Sequence, residues 1–307
     1  MEITRRLLKK HDQIVIFGAK GWIGRSAIDV IFKEYLYQDP RRIVFIGSKT
    51  EFAREANLPL NIYSSNDARK IIGNEILFLN SAYLRREKLS EMDLEEYEKR
   101  NFEIVSFGLE LINAGKVKTF INFSSGIVSQ ITNKDYQIIE DPYARSKLRD
   151  EVLFTKACQL MQTQMVNCRI YNISGKYVNE FANLALTSFI AQAKGALRAI
   201  KVQSPTTLRT YVDAIDLIKV ILELSLMENN CDVDSGGELI SLGNLAKAIS
   251  CIESGSTVSI PISFKKSPDY FGDYLKFNEL AKKSGIRLKN IKEQIVETSR
   301  AFNSANK

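Results

Sequence analysis

The 307-residue chain contains one histidine, His11, and one tryptophan. A single histidine excludes a Ser-His-Asp triad, a multi-histidine metal site and an H-E-x-x-H metalloprotease. Any proton chemistry must therefore come from Tyr, Lys, Ser, Asp, Glu or a cofactor. Cysteine is also sparse: Cys158, Cys168, Cys231 and Cys251 form no C-x-x-C pair. Neither a zinc site nor a disulfide framework is predicted, and reduced thiols suit a cytoplasmic protein. No apolar run approaches the roughly 18–20 residues that span a bilayer. The basic, polar stretch Met1 to Asp12 has no apolar segment of the secretory kind. The sequence thus predicts a cytoplasmic protein with no metal and no membrane span.

What is present is an ordinary globular composition, 45% hydrophobic and 26% charged, with a formal net charge of +7. A positive balance favours anionic partners such as a phosphorylated cofactor or a nucleotide diphosphate. The Lys and Arg residues are spread along the chain beside Glu and Asp, which argues against nucleic acid. Short β-rich runs at Gln13 to Phe17, Ile43 to Ile46, Ile76 to Leu79, Thr119 to Phe123 and Met165 to Ile170 alternate with helical patterns. The latter cover Gly24 to Tyr37, a charged segment from Leu84 to Arg100, a buried helix from Phe102 to Ala114, and Pro142 to Met161. Alternation of this kind predicts an α/β fold of Rossmann type, with a doubly wound parallel sheet. Residues 1–172 are expected to form the dinucleotide-binding domain. Residues 173–307 are expected to form mainly a smaller C-terminal substrate-binding lobe, with 207–237 returning to the first domain.

The segment Q-I-V-I-F-G-A-K-G-W-I-G-R-S runs from the first strand into a helix, with Gly18, Gly21 and Gly24 at G-x-x-G-x-x-G spacing. Glycine there permits a tight turn, close approach to a pyrophosphate, and close helix–strand packing. Lys20, Trp22 and Ile23 complete the expected cofactor loop. The second strand ends in Gly47 where an NAD site normally carries an acid, and Ser48 and Lys49 follow. A hydroxyl and an ammonium suit a 2′-phosphate, and Arg25 or Arg54 could add to them. The expected cofactor is NADP(H), with NAD as the alternative; the competing reading makes Lys49 a solvated loop lysine.

Ser124-Ser125-Gly126 closes the strand T-F-I-N-F, and P-Y-A-R-S-K follows. Tyr143 and Lys147 lie four apart and share one helix face. A neighbouring ammonium favours the phenolate and would lower the phenol's pKa from about 10. Tyr143 could then exchange a proton with a hydroxyl or carbonyl while hydride moves at a nicotinamide. Ser125 would hydrogen-bond the same oxygen, and Lys147 would also hold the nicotinamide ribose.

In this order the motifs resemble the extended short-chain dehydrogenase/reductases, specifically the NAD-dependent epimerase/dehydratase family. The resemblance extends over nearly the whole chain. It implies that Asn80-Ser81-Ala82 forms a cofactor-contacting turn and that Asn101 opens the next helix. It further implies that Ser125, Tyr143 and Lys147 form the catalytic trio, and that Ser124 lies in the substrate site. R-I-Y-N-I-S-G is similar to a family segment whose asparagine, here Asn172, lies near substrate. T-L-R-T-Y-V-D-A-I-D-L is similar to an arginine-bearing segment, so Arg209 would approach the substrate's diphosphate.

Family 4,6-dehydratases carry an Asp-Glu pair where this chain has Gly126 and Ile127, which argues against water elimination. The expected function is NADP-dependent reduction of a nucleotide-activated keto sugar, a step similar to those of deoxysugar or surface-polysaccharide biosynthesis. An NAD-dependent nucleotide-sugar 4-epimerase is the alternative, and a non-catalytic NAD(P)-sensing protein the second. By analogy with the superfamily, the helices at Phe102 to Ala114 and Pro142 to Met161 would form a homodimer interface.

Overall fold

The computed structural model describes residues 2–31, 40–132, 141–178 and 184–305. They divide into two compact units, Met1–Arg169 with Ile221–Val233, and Ile170–Val220 with Asp234–Lys307. Among the described residues no helix is long and apolar enough to cross a membrane.

The first unit opens with helix α1 (Glu2–Lys10), which buries Leu7 and Leu8. His11 closes it: its backbone N–H donates to the Leu7 carbonyl, and its buried ring bridges that carbonyl and Thr119 Oγ1 at 2.9 and 2.8 Å. Strand β1 (Gln13–Phe17) follows, its apolar run Ile14 to Phe17 buried, as a central parallel strand requires. Helix α2 (Trp22–Ile31) and strand β2 (Ile43–Ile46) come next. The expected helix to Tyr37 is described as far as Ile31, and 32–37 lie outside the described residues.

Beyond β2 the chain forms a hairpin, β3 (Glu51–Glu55) and β4 (Leu58–Tyr63), paired antiparallel. Its two-residue turn places Ala56 and Asn57 at φ of 49° and 66°, as the tight turn between twisted strands demands. β4 lies parallel to β2, so a strand stands within the crossover from β2 to β4. A short helix α3 (Ser65–Ala68) then leads towards β5 (Ile76–Asn80).

The charged segment Leu84 to Arg100, expected as an exposed helix or a loop plus helix, contains a short 3-10 turn at Arg86–Ser90 and then the start of one helix, α4 (Leu94–Asn113), which takes in the buried helix expected from Phe102 to Ala114. Asp93 caps it by accepting from the Glu96 backbone N–H at 2.8 Å. A charged first turn on the start of a buried helix explains why the composition reads as two elements. Strand β6 (Val117–Ser125), helix α5 (Ile127–Thr132), helix α6 (Pro142–Leu160) and strand β7 (Gln164–Ile170) complete the run.

The sheet has eight strands, ordered Cys231–Asp234, β7, β6, β5, β1, β2, β4, β3. One face is filled by Phe17, Phe78 and Phe120, packed against Phe107 of α4 and Phe154 of α6. The Phe78 and Phe120 rings stack 5.6 Å apart, and Phe154 lies 4.6 Å from Phe120. This aromatic layer packs α4 and α6 against β5 and β6.

In the second unit, strands Ile173–Ser174, Leu208–Asp213 and Glu238–Ser241 form a small sheet. Leu186, Ile190, Tyr211, Leu245, Ile249 and Ile295 make its core. Lys289 Nζ neutralises the buried Asp213 carboxylate at 2.9 Å.

Candidate active site

The glycine loop is built to leave no room for side chains. Gly18 has φ of 90°, and a Cβ there would lie 2.6 Å from the Ala82 backbone nitrogen. A Cβ on Gly24 would lie 2.1 Å from the Gly18 carbonyl oxygen. Ser81 ties the neighbouring strand end to the loop, donating to the Phe17 carbonyl from its N–H and its hydroxyl at 2.9 and 2.7 Å. Trp22 and Ile23 begin α2, whose first turn carries no acid. The first N–H groups of a helix have no intrahelical partner, and its dipole favours anions. Trp22 Nε1 is buried with no protein acceptor. This cradle and its orphaned donor fit the pyrophosphate of a dinucleotide.

At the end of β2, an acid at position 47 is sterically barred. A Cβ on Gly47 would approach Ile62 Cγ2 of β4 at 2.9 Å. The hairpin brings in a carboxylate instead: Glu51 of β3 binds Lys20 Nζ at 2.7 Å and Lys49 Nζ at 3.2 Å. These two bonds hold the Glu51 carboxyl below its ordinary range. Sequence reasoning missed Glu51 because the charged run from Glu51 to Glu55 carries no apolar periodicity. Lys49 makes this ion pair with a side chain 70% exposed, and Ser48 and Arg54 are exposed. Arg25 is occupied by the Glu55 carboxylate at 2.9 Å.

Ser124 and Ser125 lie buried at the end of β6, and the Ser124 hydroxyl has no protein partner. Asp141 caps α6 by accepting from the Tyr143 N–H at 3.1 Å, and Arg86 pairs with the same carboxylate. The cap and Pro142 at the helix start fix where Tyr143 emerges. Burial raises the Tyr143 phenol above its ordinary value, outweighing the Ser125 side chain, which favours the ionised form. Lys147 is itself buried, its Nζ 3.5 Å from the Phe123 carbonyl and 3.4 Å from the centre of the Tyr83 ring. Burial lowers its ammonium to about 8, opposed by the carboxylates of Asp150 and Glu151.

Tyr83 is the second residue that sequence reasoning missed. Its ring covers Lys147 and meets the Tyr143 ring edge-on at 6.0 Å. It directly follows Asn80-Ser81-Ala82, so its position was legible although its role was not. Asn80 donates to Asn122, which donates to Asn167, at 3.1 and 2.9 Å, a polar row across β5, β6 and β7. Asn101 accepts from the Leu84 N–H at 2.8 Å and anchors the segment after Tyr83. Glu151 is held by Arg169 at 2.8 Å.

The cofactor-loop residues, Asn80 to Ala82, Ser124, Ser125, Tyr143 and Lys147 all belong to the first unit, whereas Asn172 and Arg209 belong to the second. There the Asn172 carbonyl accepts from the Val212 N–H at 3.2 Å, and its Nδ2 is buried without a partner. Arg209 donates to the Leu208 and Pro268 carbonyls at 3.0 and 2.7 Å and lies 5.7 Å from the Tyr270 ring centre.

A glycine cradle at the first strand–helix turn of a Rossmann sheet, with Ser, Tyr and Lys on the neighbouring strand and helix, defines an NAD(P)-dependent short-chain dehydrogenase/reductase enzyme. Within that class, the chain belongs to the NAD dependent epimerase/dehydratase family, whose model matches residues 14–237. No curated protein matches it. Among solved structures it is similar to a UDP-N-acetylglucosamine 4-epimerase from Methanobrevibacter ruminantium in complex with UDP-N-acetylmuramic acid. That likeness has a TM-score of 0.74 at 17% identity and covers 96% of this chain and 99% of that one. A UDP-glucose 4-epimerase from Thermus thermophilus in complex with NAD gives a TM-score of 0.70 at 17% identity, covering 95% and 99%. A GDP-L-fucose synthetase from Naegleria fowleri gives 0.70 at 17%, covering 96% and 95%. At such identities the likeness establishes the fold.

Proposed function

We propose that the protein is an NADP(H)-dependent reductase of a keto sugar carried on a nucleoside diphosphate. The observation that carries the cofactor assignment is the convergence of Lys20 and Lys49 beside Gly47, two ammonium groups against the single carboxylate of Glu51. A phosphate dianion suits that excess of positive charge better than a neutral ribose does. When bound, the reduced nicotinamide supplies hydride. Tyr143, protonated at rest, would donate its proton to the carbonyl oxygen, while the Ser125 hydroxyl hydrogen-bonds the same oxygen. Lys147 would keep positive charge near the phenolate left behind. Arg209, with Asn172, is assigned to the substrate side, and a nucleotide diphosphate supplies the anion an arginine recognises. We further assign a homodimer formed through α4 and α6, where Phe102 and Val152 are exposed apolar residues.

A second reading, an NAD-dependent 4-epimerase, is favoured by Glu51 itself, since a carboxylate can accept from both ribose hydroxyls. Titration of the purified protein with NADPH and NADH, followed by assay with nucleotide-linked keto sugars, separates the two. The reductase reading expects exchangeable NADPH to bind more tightly and to be consumed stoichiometrically. It also expects turnover to vanish in Tyr143→Phe while NADPH binding survives. Firmly held NAD(H), with sugar interconverted and no net cofactor consumed, would replace it with the epimerase.

A further inference from the structure

Tyr143, Lys147, Asp150 and Phe154 fall at helical spacing on one face of α6. Phe154 packs on Phe120 in the apolar layer, and Lys147 reaches the Phe123 carbonyl, so Asp150 stands between the core and the catalytic residues. It is 3% exposed. A carboxylate at that depth must be paired, hydrogen-bonded or protonated. One of its oxygens, Oδ1, accepts from Arg149 Nη2 and Nε at 3.0 and 3.1 Å. The other, Oδ2, is buried with no hydrogen-bond partner, and so is the Tyr83 hydroxyl. Tyr83 and Asp150 act on each other's ionisation: the carboxylate raises the phenol, and the phenol lowers the carboxyl. Two further orphaned atoms, Asn80 Oδ1 and Asn101 Nδ2, belong to residues tied to the Tyr83 segment. Tyr83 therefore contacts the Lys147 ammonium with its ring and faces the Asp150 carboxylate with its hydroxyl.

We propose that Asp150 is a positioning residue for the reaction, the buried counter-charge that keeps Lys147 protonated beneath Tyr83, with Tyr83 holding the two in register. The proposal rests on the reading that Tyr143 and Lys147 are the hydride-transfer pair. Charged and titratable groups on every neighbouring element enter the balance. Lys147 is faced by Tyr83 after β5 and by Asp150 and Glu151 on its own helix, and Glu151 is itself neutralised by Arg169 of β7. Asp150 is faced by Lys147, Arg149 and Tyr83, and it acts on Tyr97 of α4. Tyr143 is faced by Ser125, Arg86, Glu87 and Asp141. Glu151 is bonded to Arg169 and Asp150 Oδ1 to Arg149, which leaves Asp150 Oδ2, among the described residues, as the unbonded carboxylate oxygen on this face of α6. Burial raises the Asp150 carboxyl, and Lys147 is the first group to oppose that, as a buried pair of opposite charge requires. An ammonium against an aromatic face gains from the ring only while charged, so Tyr83 acts in the same direction.

The test reads Lys147 directly. In protein carrying isotope-labelled lysine, the Lys147 resonance is assigned by its loss in Lys147→Arg and titrated by NMR in wild type, Asp150→Asn, Asp150→Glu and Tyr83→Phe. Asp150→Asn is expected to lower the midpoint from its starting value near 8 by about one unit or more, since removing an anion disfavours the charged form. Asp150→Glu should restore most of that loss. Tyr83→Phe keeps the ring but frees the carboxylate, and should shift the midpoint the same way by less. If Asp150→Asn does not fold, Tyr83→Phe decides. An unchanged Lys147 midpoint in the folded variants overturns the proposal. The alkaline limb of the pH–rate profile should move with the NMR midpoint, a shift that a merely structural role would not produce. If the midpoint moves as expected but no carbonyl substrate is reduced by the wild type, the functional reading fails while the Asp150 assignment stands.

Discussion

Replacing Gly24 by alanine sets two effects of opposite sign against each other. Gly24 lies in the first turn of α2, where alanine has the better intrinsic helix propensity by about 1 kcal/mol. By propensity alone Gly24→Ala should stabilise the protein. The structure opposes this, because the new Cβ would stand 2.1 Å from the Gly18 carbonyl oxygen and 2.8 Å from Ala19 Cα. An ordinary carbon–oxygen contact is about 3.3 Å, so the loop must withdraw from the helix by about 1.2 Å. Both obstructing atoms are backbone, and no rotamer change relieves them. Overpacking of this kind costs about 1–3 kcal/mol, which at least cancels the propensity gain. Stability should fall by up to about 2 kcal/mol, a loss of several degrees in Tm. The larger effect is on the cradle, since a displacement of that size separates the Gly18–Gly21 turn from the N–H groups of α2. Dinucleotide affinity should fall at least tenfold, measured by fluorescence titration beside thermal unfolding of the free protein. Gly73→Ala, where an added Cβ meets nothing within 4 Å, is the control and should change neither. If Gly24→Ala bound dinucleotide with wild-type affinity, the close approach of helix and loop would not be what shapes the site.

Cofactor choice is tested at Glu51: Glu51→Gln should strengthen NADPH binding severalfold, and Lys20→Ala with Lys49→Ala should weaken it tenfold or more while NADH changes little. Weakened NADH binding in Glu51→Gln would instead make that carboxylate a ribose ligand. The buried His11 ring is held neutral, its pKa lowered by burial from 6.5 to about 4. The unfolded chain takes up a proton below about 6.5 that the folded protein refuses, so stability is full above that pH and is lost as pH falls towards 4. The loss approaches about 3 kcal/mol, and chemical denaturation of wild type and His11→Gln between pH 7 and 4 should show the extra slope only in wild type.

The parts of the fold legible in the sequence are those governed by strong local physics. The buried runs of β1 and β2 are uniformly apolar, and the glycines at 18 and 24 mark a turn and a close approach that a side chain would obstruct. Tyr143 and Lys147 were readable because helical spacing and the preceding serine strand constrain them together. The β3–β4 hairpin was not, because an exposed edge pair alternates charged and apolar residues weakly, and its Ala-Asn turn is an uncommon form of a familiar type. Tyr83 and Asp150 escaped notice for a different reason. Each is unremarkable in its own segment, and their relation to Lys147 exists only once α6 lies over β5 and β6.

The hairpin has a consequence for how this enzyme could be altered. β3 pairs with β4 and β4 with β2, and the carboxylate that meets the cofactor-loop lysine is the first residue of β3. On the proposed reading, coenzyme choice is set by Glu51 of the hairpin together with Lys20 and Lys49, a group distinct from Ser125, Tyr143 and Lys147. Grafting a hairpin of equal length with a different residue at position 51 would exchange one coenzyme for another and leave the proton-transfer residues in place. On that reading, selectivity and proton transfer belong to separate sets of residues and can be mutated one without the other.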